Sequence, residues 1–152
     1  MRTGIGFDSH RFAEDRRLVL GGVEVPHSRG LAGHSDADVL THAVIDALLG
    51  AAGLGDIGRH FPDTDERWRD ADSLQLLRAV TGMLAAPVVN VDATVVCEAP
   101  KLEPFREAMR GSLAEALGLS PGAVNVKFTT GEGMGFVGRG EGVAALAVAT
   151  LG

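Results

Sequence analysis

The chain has 152 residues, a length suited to one domain (1–152), and 45% hydrophobic with 22% charged residues, enough for an ordinary core. A net charge of −6 without a basic run argues against a nucleic-acid partner, and a single cysteine, Cys97, excludes an internal disulfide framework and fits a reducing compartment. No targeting segment and no apolar run long enough to span a bilayer is visible, so a soluble, cytoplasmic chain with no membrane partner is expected.

Thr3, Ile5 and Phe7 alternate with glycines, which predicts a first strand with close backbone neighbours. On such a strand Asp8 and His10 point to the same face. Residues 17–20 and 23–26 around Gly21-Gly22 predict a hairpin with a two-residue turn, followed by a loop over 27–34. A helix is predicted from about Asp36 to Ala52, with Ser35 as its N-cap, Asp38 completing a weak capping box, and a stop at Gly53 or Gly55. Leu40, Ala43, Val44, Ala47, Leu48 and Ala51 form its apolar stripe, and Asp38, His42 and Asp46 fall together on the opposite face.

Residues 55–65 read as a loop. Ile57 and Phe61 are unusual in a plain acidic turn, and an alternative is a binding wall in which Asp56 and Asp63 accept from hydroxyls. A second helix runs from Asp72 or Ser73 to about Leu84, with Leu74, Leu77 and Thr81/Leu84 inward. The strand from Val88 to Glu98 is expected to place Val89, Val91, Ala93, Val95 and Cys97 on one face. A helix from about Glu103 to Leu117 carries a stripe at Phe105, Ala108, Met109, Leu113, Ala116 and Leu117; a strand over 124–130, a glycine-rich turn segment and a buried strand from Val143 to Leu151 follow. Alternating strands and helices with a hairpin indicate an α/β fold of α+β type: a mixed sheet with helices packed on one side.

Asp8, His10 and His42 supply one oxygen and two nitrogen ligands, and three protein ligands leave a fourth position open, as in a catalytic zinc site. Asp46 is either an outer acceptor for this cluster or a residue of the polar face. The glycine-rich segment lacks the Walker ending and the dinucleotide context. Thr129, Thr130 and Glu132 nonetheless place two hydroxyls and a carboxylate at a strand end, suited to phosphate oxygens and a hard cation, with Lys101 as a further phosphate contact.

Several longer motifs then align in order: Gly-x-Gly-x-Asp-x-His at 4–10, Gly-His-Ser-Asp-x-Asp-Val at 33–39, His42, Leu-Gly-Asp-Ile-Gly…Phe-Pro-Asp-Thr-Asp at 54–65, Ala-Pro-Lys at 99–101 and Gly-Arg-Gly-Glu-Gly at 138–142. Across essentially its whole length the chain resembles the 2-C-methyl-D-erythritol 2,4-cyclodiphosphate synthase family. The resemblance implies a homotrimer with active sites between subunits. It also implies conversion of 4-diphosphocytidyl-2-C-methyl-D-erythritol 2-phosphate to the cyclodiphosphate and CMP, a step of non-mevalonate isoprenoid precursor synthesis.

Carried over by position, the resemblance makes Asp8, His10 and His42 zinc ligands and Glu132 a ligand for magnesium or manganese. His34 and Thr130 become the transition-state residues. Ser35, Asp56, Gly58, Phe61, Asp63 and Asp65 face the substrate, and Pro100, Lys101, Leu102, Thr129 and Thr130 face the cytidine diphosphate. Gly131, Phe128 and Gly133 depart from the family's commoner residues. Two readings stay open for Arg139: an axial channel or phosphate contact with Phe7 and Phe136, or a simple ion pair with Glu141. The rival functions are a zinc-dependent phosphohydrolase and a non-catalytic, zinc-structured binding protein, the latter requiring a fourth ligand such as His34 or His60.

Overall fold

The computed structural model describes residues 1–152. Its elements are β1 (Arg2–Ala13), β2 (Leu18–Leu20), β3 (Val23–Val25), β4 (Gly30–Leu31), α1 (Val39–Ala52), α2 (Ile57–His60), α3 (Ser73–Met83), β5 (Val88–Val96), α4 (Arg106–Leu117), β6 (Val124–Thr129), α5 (Gly135–Gly138) and β7 (Gly142–Leu151). Five strands form one mixed sheet in the order β4-β1-β7-β5-β6, in which only β5 and β6 run parallel. The β2–β3 hairpin stands apart, and Gly21 and Gly22 supply the positive φ angles its turn requires, as the double glycine predicts.

The alternation along β1 sets the architecture. Gly4, Gly6 and Asp8 pair with Ala149, Ala147 and Ala145 of β7, so this face of the two strands is made of very small side chains. α1 lies directly on it. A Cβ at Gly6 would stand 1.9 Å from the Ala43 carbonyl oxygen, and one at Gly4 2.1 Å from that of Ala47. Further along the same face Asp8 and His10 are thereby aimed at the first turns of α1, where His42 sits. α3 packs on α1, and α4 packs on α3 and β6, which places these three helices on one side of the sheet.

The opposite face is different. Ile5 pairs with Val148 and Phe7 with Leu146, and all four side chains are exposed, Ile5 by 69% and Phe7 by 55%. Across β5 and β6 this face turns polar, with Lys127 Nζ 2.6 Å from Asp92 Oδ2.

Several local expectations are corrected. The N-cap of α1 is Asp38, not Ser35: its carboxylate accepts from the Thr41 amide at 3.0 Å and the Thr41 hydroxyl at 2.7 Å, and also from the amides of Gly21 and Gly22 at 2.9 and 2.8 Å. Asp38 therefore belongs to the core, tying the hairpin to the helix, and not to a polar face. Burial presses its carboxyl pKa upward, with the neighbouring Asp36 charge adding to it. α1 is buried on nearly all sides because sheet and α3 both cover it.

The predicted loops contain the short strand β4 and the single-turn helix α2. In α3 the buried apolar residues are Leu76, Leu77 and Val80, whereas Leu74 and Leu84 are only partly covered. A register shift between Val88 and Asn90 turns Val89 out to 45% exposure, away from the inward set Val91, Ala93 and Val95. Ala108 of α4 is exposed, and β7 alternates, with Leu146 and Val148 outside.

Candidate metal centre and two clefts

Three ligand atoms converge where the end of β1's glycine face meets α1. Asp8 Oδ2 lies 2.9 Å from His10 Nε2 and 3.1 Å from His42 Nδ1, and the two imidazole nitrogens are 3.3 Å apart. Asp8 and His10 are half-buried and His42 is buried. Burial alone presses the Asp8 carboxyl upward, but hydrogen bonds and charge from His10 and His42 outweigh it and hold its pKa at about 2. His10 is lowered by burial and raised by its bond and charge pairing with Asp8, and the pairing wins.

Each imidazole is oriented from behind. His10 Nδ1 donates to the Ala32 carbonyl at 2.8 Å, which leaves Nε2 for the cluster. His42 Nε2 is 2.8 Å from Ser73 Oγ and 3.2 Å from Ser35 Oγ, which leaves Nδ1 inward. One carboxylate oxygen and two imidazole nitrogens within 4.8 Å of one another fit a divalent transition metal with N/O preference. No other histidine closes the set. His34 Nε2 donates to the Asp65 carbonyl at 2.9 Å, and His60 Nε2 to that of Leu54 at 2.8 Å. No fourth protein ligand joins the cluster.

It opens on a cleft of about 390 Å³ lined by Asp8, His10, His34, Ser35 and His42 on one side and by Ile57, Gly58, Phe61, Pro62 and Asp63 on the other, with Trp68 and Leu76 behind. Phe61 meets Trp68 edge to face, ring centres 5.0 Å apart. Ile57, Gly58 and Phe61 thus line one cleft wall, where a one-turn helix stands instead of an irregular loop. Two of the residues expected there serve the wall's own structure. Asp56 caps α2 by accepting from the Arg59 amide, and Asp65 caps the 3-10 turn Glu66–Trp68 while pairing with Arg67 at 2.7 Å; neither lines the cleft. Asp46 accepts from the Ile57 amide at 2.8 Å and so anchors α2, and it makes no hydrogen bond to His42.

The second group of expected residues forms another cleft. Pro100, Lys101, Leu102, Thr129 and Thr130 line it together with Cys97, Glu98, Glu103 and Phe128, and it shares no lining residue with the first. Glu132 follows on an exposed turn at φ +53°. The Glu98 carboxylate accepts from the amides of Gly131 at 3.1 Å and Gly133 at 3.2 Å, gripping that turn on both sides of Glu132. A Cβ at Gly131 would stand 2.7 Å from the Gly138 amide nitrogen, so glycine suits this tight turn. Cys97 is buried and unpaired, and that burial pushes its thiol up to about 11. Arg139 pairs with Glu141 at 2.9 Å, while Phe7 and Phe136 line a shallow apolar depression that does not include it.

Sequence reasoning missed Asp36 and Ser73 as the support behind His42, and Trp68 and Leu76 as cleft walls. Asp36 and Ser73 were legible only as helix-start residues, and their meeting depends on a contact between segments 37 positions apart.

Fold and site together define an α/β protein with an open, three-ligand candidate metal centre at the mouth of a small-molecule cleft. The chain belongs to the YgbB family, whose model matches residues 1–152. It is 62% identical over 155 residues to the 2-C-methyl-D-erythritol 2,4-cyclodiphosphate synthase of Salinibacter ruber (strain DSM 13855 / M31), covering 99% of this chain and 98% of that protein. It is 64% identical over 151 residues to the bifunctional enzyme IspD/IspF of Anaeromyxobacter sp. (strain Fw109-5); there the match covers 97% of this chain but 39% of the relative, so the chain spans about two fifths of that protein. Among solved structures, that of a 2C-methyl-D-erythritol-2,4-cyclodiphosphate synthase in a CDP-bound form superposes with a TM-score of 0.91 at 40% identity, covering 99% of this chain and 100% of that one. The resemblance read from the motifs is borne out. No helix of the chain is long and apolar enough to cross a membrane.

Proposed function

We propose that residues 1–152 act in the cytoplasm as one catalytic domain, a phosphorus–oxygen lyase that closes 4-diphosphocytidyl-2-C-methyl-D-erythritol 2-phosphate to 2-C-methyl-D-erythritol 2,4-cyclodiphosphate. The observation that carries this reading is the convergence of Asp8, His10 and His42 at the open end of a cleft walled by Ile57 and Phe61. An oxygen of the 2-phosphate bonds to the β-phosphorus, the bond from that phosphorus to the CMP oxygen breaks, and CMP leaves with the electron pair. The attack is intramolecular, so no Ser or Cys nucleophile is needed, and positioning carries most of the catalytic work.

Asp8, His10 and His42 would hold zinc and Glu132 magnesium or manganese, and the bound cations would supply Lewis-acid neutralisation of the phosphate oxygens. Ile57 and Phe61 give the methylerythritol carbon an apolar wall, and Asp63, Gly58 and Ser35 orient its polar groups. Asp56 and Asp65 act one step back, through the turns they cap. His34 and Thr130 stabilise charge that develops on the transferred phosphoryl oxygens. Pro100, Leu102 and Thr129 hold the cytidine diphosphate, and Lys101 offsets its charge on a chain of net charge −6.

The two clefts share no residue within one chain, and an apolar sheet face is exposed beside them; both features support a homotrimer whose neighbouring subunit brings its nucleotide cleft to the metal centre. A charge placed in that face is expected to break the assembly. Ile5→Glu should elute as a smaller species in light-scattering chromatography and lose activity, while Met83→Glu, at an exposed position at the end of α3, should leave the mass unchanged.

Asp46→Ala is expected to raise KM by about tenfold with a smaller change in kcat. The freed Ile57 amide costs roughly 1–3 kcal/mol of local order in the substrate wall, and the phosphate chemistry lies elsewhere. Steady-state kinetics read the split.

The reaction itself is tested by phosphorus NMR of the chain with substrate, zinc and magnesium beside a chelated control. Metal-dependent appearance of a cyclic diphosphate with stoichiometric CMP is expected. Open-chain phosphates alone would establish a phosphohydrolase, and no turnover with zinc bound a non-catalytic binding protein.

A further inference from the structure

We infer that Asp36 and Ser73 are positioning residues that set the tautomer and ring orientation of His42, an inference that rests on reading Asp8, His10 and His42 as a divalent-metal site. Ser73 is the first residue of α3 and fully buried. Its hydroxyl meets Asp36 Oδ1 and, at 2.8 Å, His42 Nε2. Asp36 Oδ2 accepts from the Ser73 amide at 3.0 Å, so the carboxylate grips Ser73 at two atoms.

The direction of these bonds follows from proton counting. A serine hydroxyl has one proton, and an ionised carboxylate only accepts. The Ser73 proton therefore goes to Asp36, and Ser73 Oγ accepts from His42. That requires the proton of His42 on Nε2 and presents Nδ1, with its lone pair, toward Asp8 and His10. Ser35 Oγ, 3.2 Å from the same Nε2, shares the donated proton and does not alter the assignment.

The hydroxyl is not needed to start the helix. Asp72 caps α3 by accepting from the Leu74 amide at 2.9 Å. Asp36 is itself fixed from both sides, donating its amide to the Ala71 carbonyl at 3.1 Å and accepting from the Asp38 amide at 3.1 Å. A carboxylate, a hydroxyl and an imidazole thus form a rigid line ending at the candidate ligand atom, in the place where outer groups raise a ligand's basicity and fix its aim.

Cobalt(II) is the probe. The metal-stripped full chain is titrated with Co(II), its visible ligand-field bands are recorded, and zinc is then added in competition, for the wild type and for Ser73→Ala, Asp36→Asn and Ser73→Thr. In Asp36→Asn the side-chain NH2 must face either the Ser73 or the Asp38 backbone N–H, which breaks the two-atom grip on Ser73 and loosens its hold on His42. Ser73→Ala and Asp36→Asn are expected to bind both metals about 10- to 100-fold more weakly with shifted bands, and Ser73→Thr to restore affinity and spectrum.

Circular dichroism of the metal-free variants checks folding; if Ser73→Ala does not fold, Asp36→Asn, which leaves Ser73 in place, decides. Wild-type affinity and unchanged bands in the folded variants would overturn the inference while leaving the metal reading intact. A loss in Ser73→Ala that threonine does not restore would also overturn it, assigning the loss to packing. Absence of Co(II) bands in the wild type would overturn the metal reading and this inference with it.

Discussion

On the proposed zinc site, a His42→Ala variant is expected to lose stoichiometric zinc and at least about 10³-fold in kcat/KM, because it removes one of the three proposed ligands and no other histidine is placed to replace it. The geometry offers no substitute: His34 and His60 are each engaged with a backbone carbonyl, and the remaining ligand atoms are the Asp8 oxygen and His10 nitrogen 2.9 Å apart. Two such groups would hold a divalent ion far more weakly than three. The control is His60→Ala, whose imidazole lies outside the cleft lining and whose loss should leave kcat/KM within about threefold of the wild type. Atomic absorption gives the metal content, and steady-state kinetics the rates. A His42→Ala protein with full metal content and near-normal turnover would refute the assignment of the three ligands.

The second large effect is expected at a residue with no chemistry. Gly6→Ala should destabilise the fold by about 3 kcal/mol or more, since its Cβ would stand 1.9 Å from the Ala43 carbonyl oxygen and 2.7 Å from the Ala47 amide nitrogen. Both are backbone atoms, so no side chain can swing away; the helix must lift from the sheet. Lifting α1 also carries His42 away from Asp8 and His10, so metal affinity should fall together with stability. Gly111→Ala, inside α4 with nothing within 4 Å of the added carbon, should do the reverse and stabilise by roughly 0.5–1 kcal/mol. Urea unfolding at fixed protein concentration compares the two, the concentration being held because assembly adds to apparent stability. Equal effects of the two substitutions would mean that the close approach of α1 to β1 is not what holds the site.

The same glycines explain why so much of the fold is legible in the sequence. Gly-x-Gly-x-Asp-x-His is a period-two pattern, so one face of one strand had to carry both the small residues that admit a helix and the two ligands beyond them. The strand, the hairpin at Gly21-Gly22, the helix carrying His42 and the nearness of that helix to β1 all follow from local spacing and from the need to fill space beside glycine. The mixed sheet with helices on one side follows from the order of elements.

Contacts between distant segments were decided only by the tertiary structure. Asp38 reads locally as a polar-face residue, yet it is the buried N-cap because the hairpin brings the Gly21 and Gly22 amides to its carboxylate. Asp46 reads as a neighbour of His42, yet its hydrogen bond goes to the Ile57 amide, because the chain after α1 folds back to bring α2 against it. Val89 reads as inward, yet the shift at the start of β5 turns it out. The line from Asp36 through Ser73 to His42 carries no local signal, because a hydroxyl and a carboxylate at helix starts are ordinary capping residues. By itself the sequence determined, within uninterrupted strands and helices, which side chains share a face, through fixed periodicities of two and 3.6. Only the folded chain decided which buried polar groups partner one another, because each must find a donor or acceptor wherever packing places one.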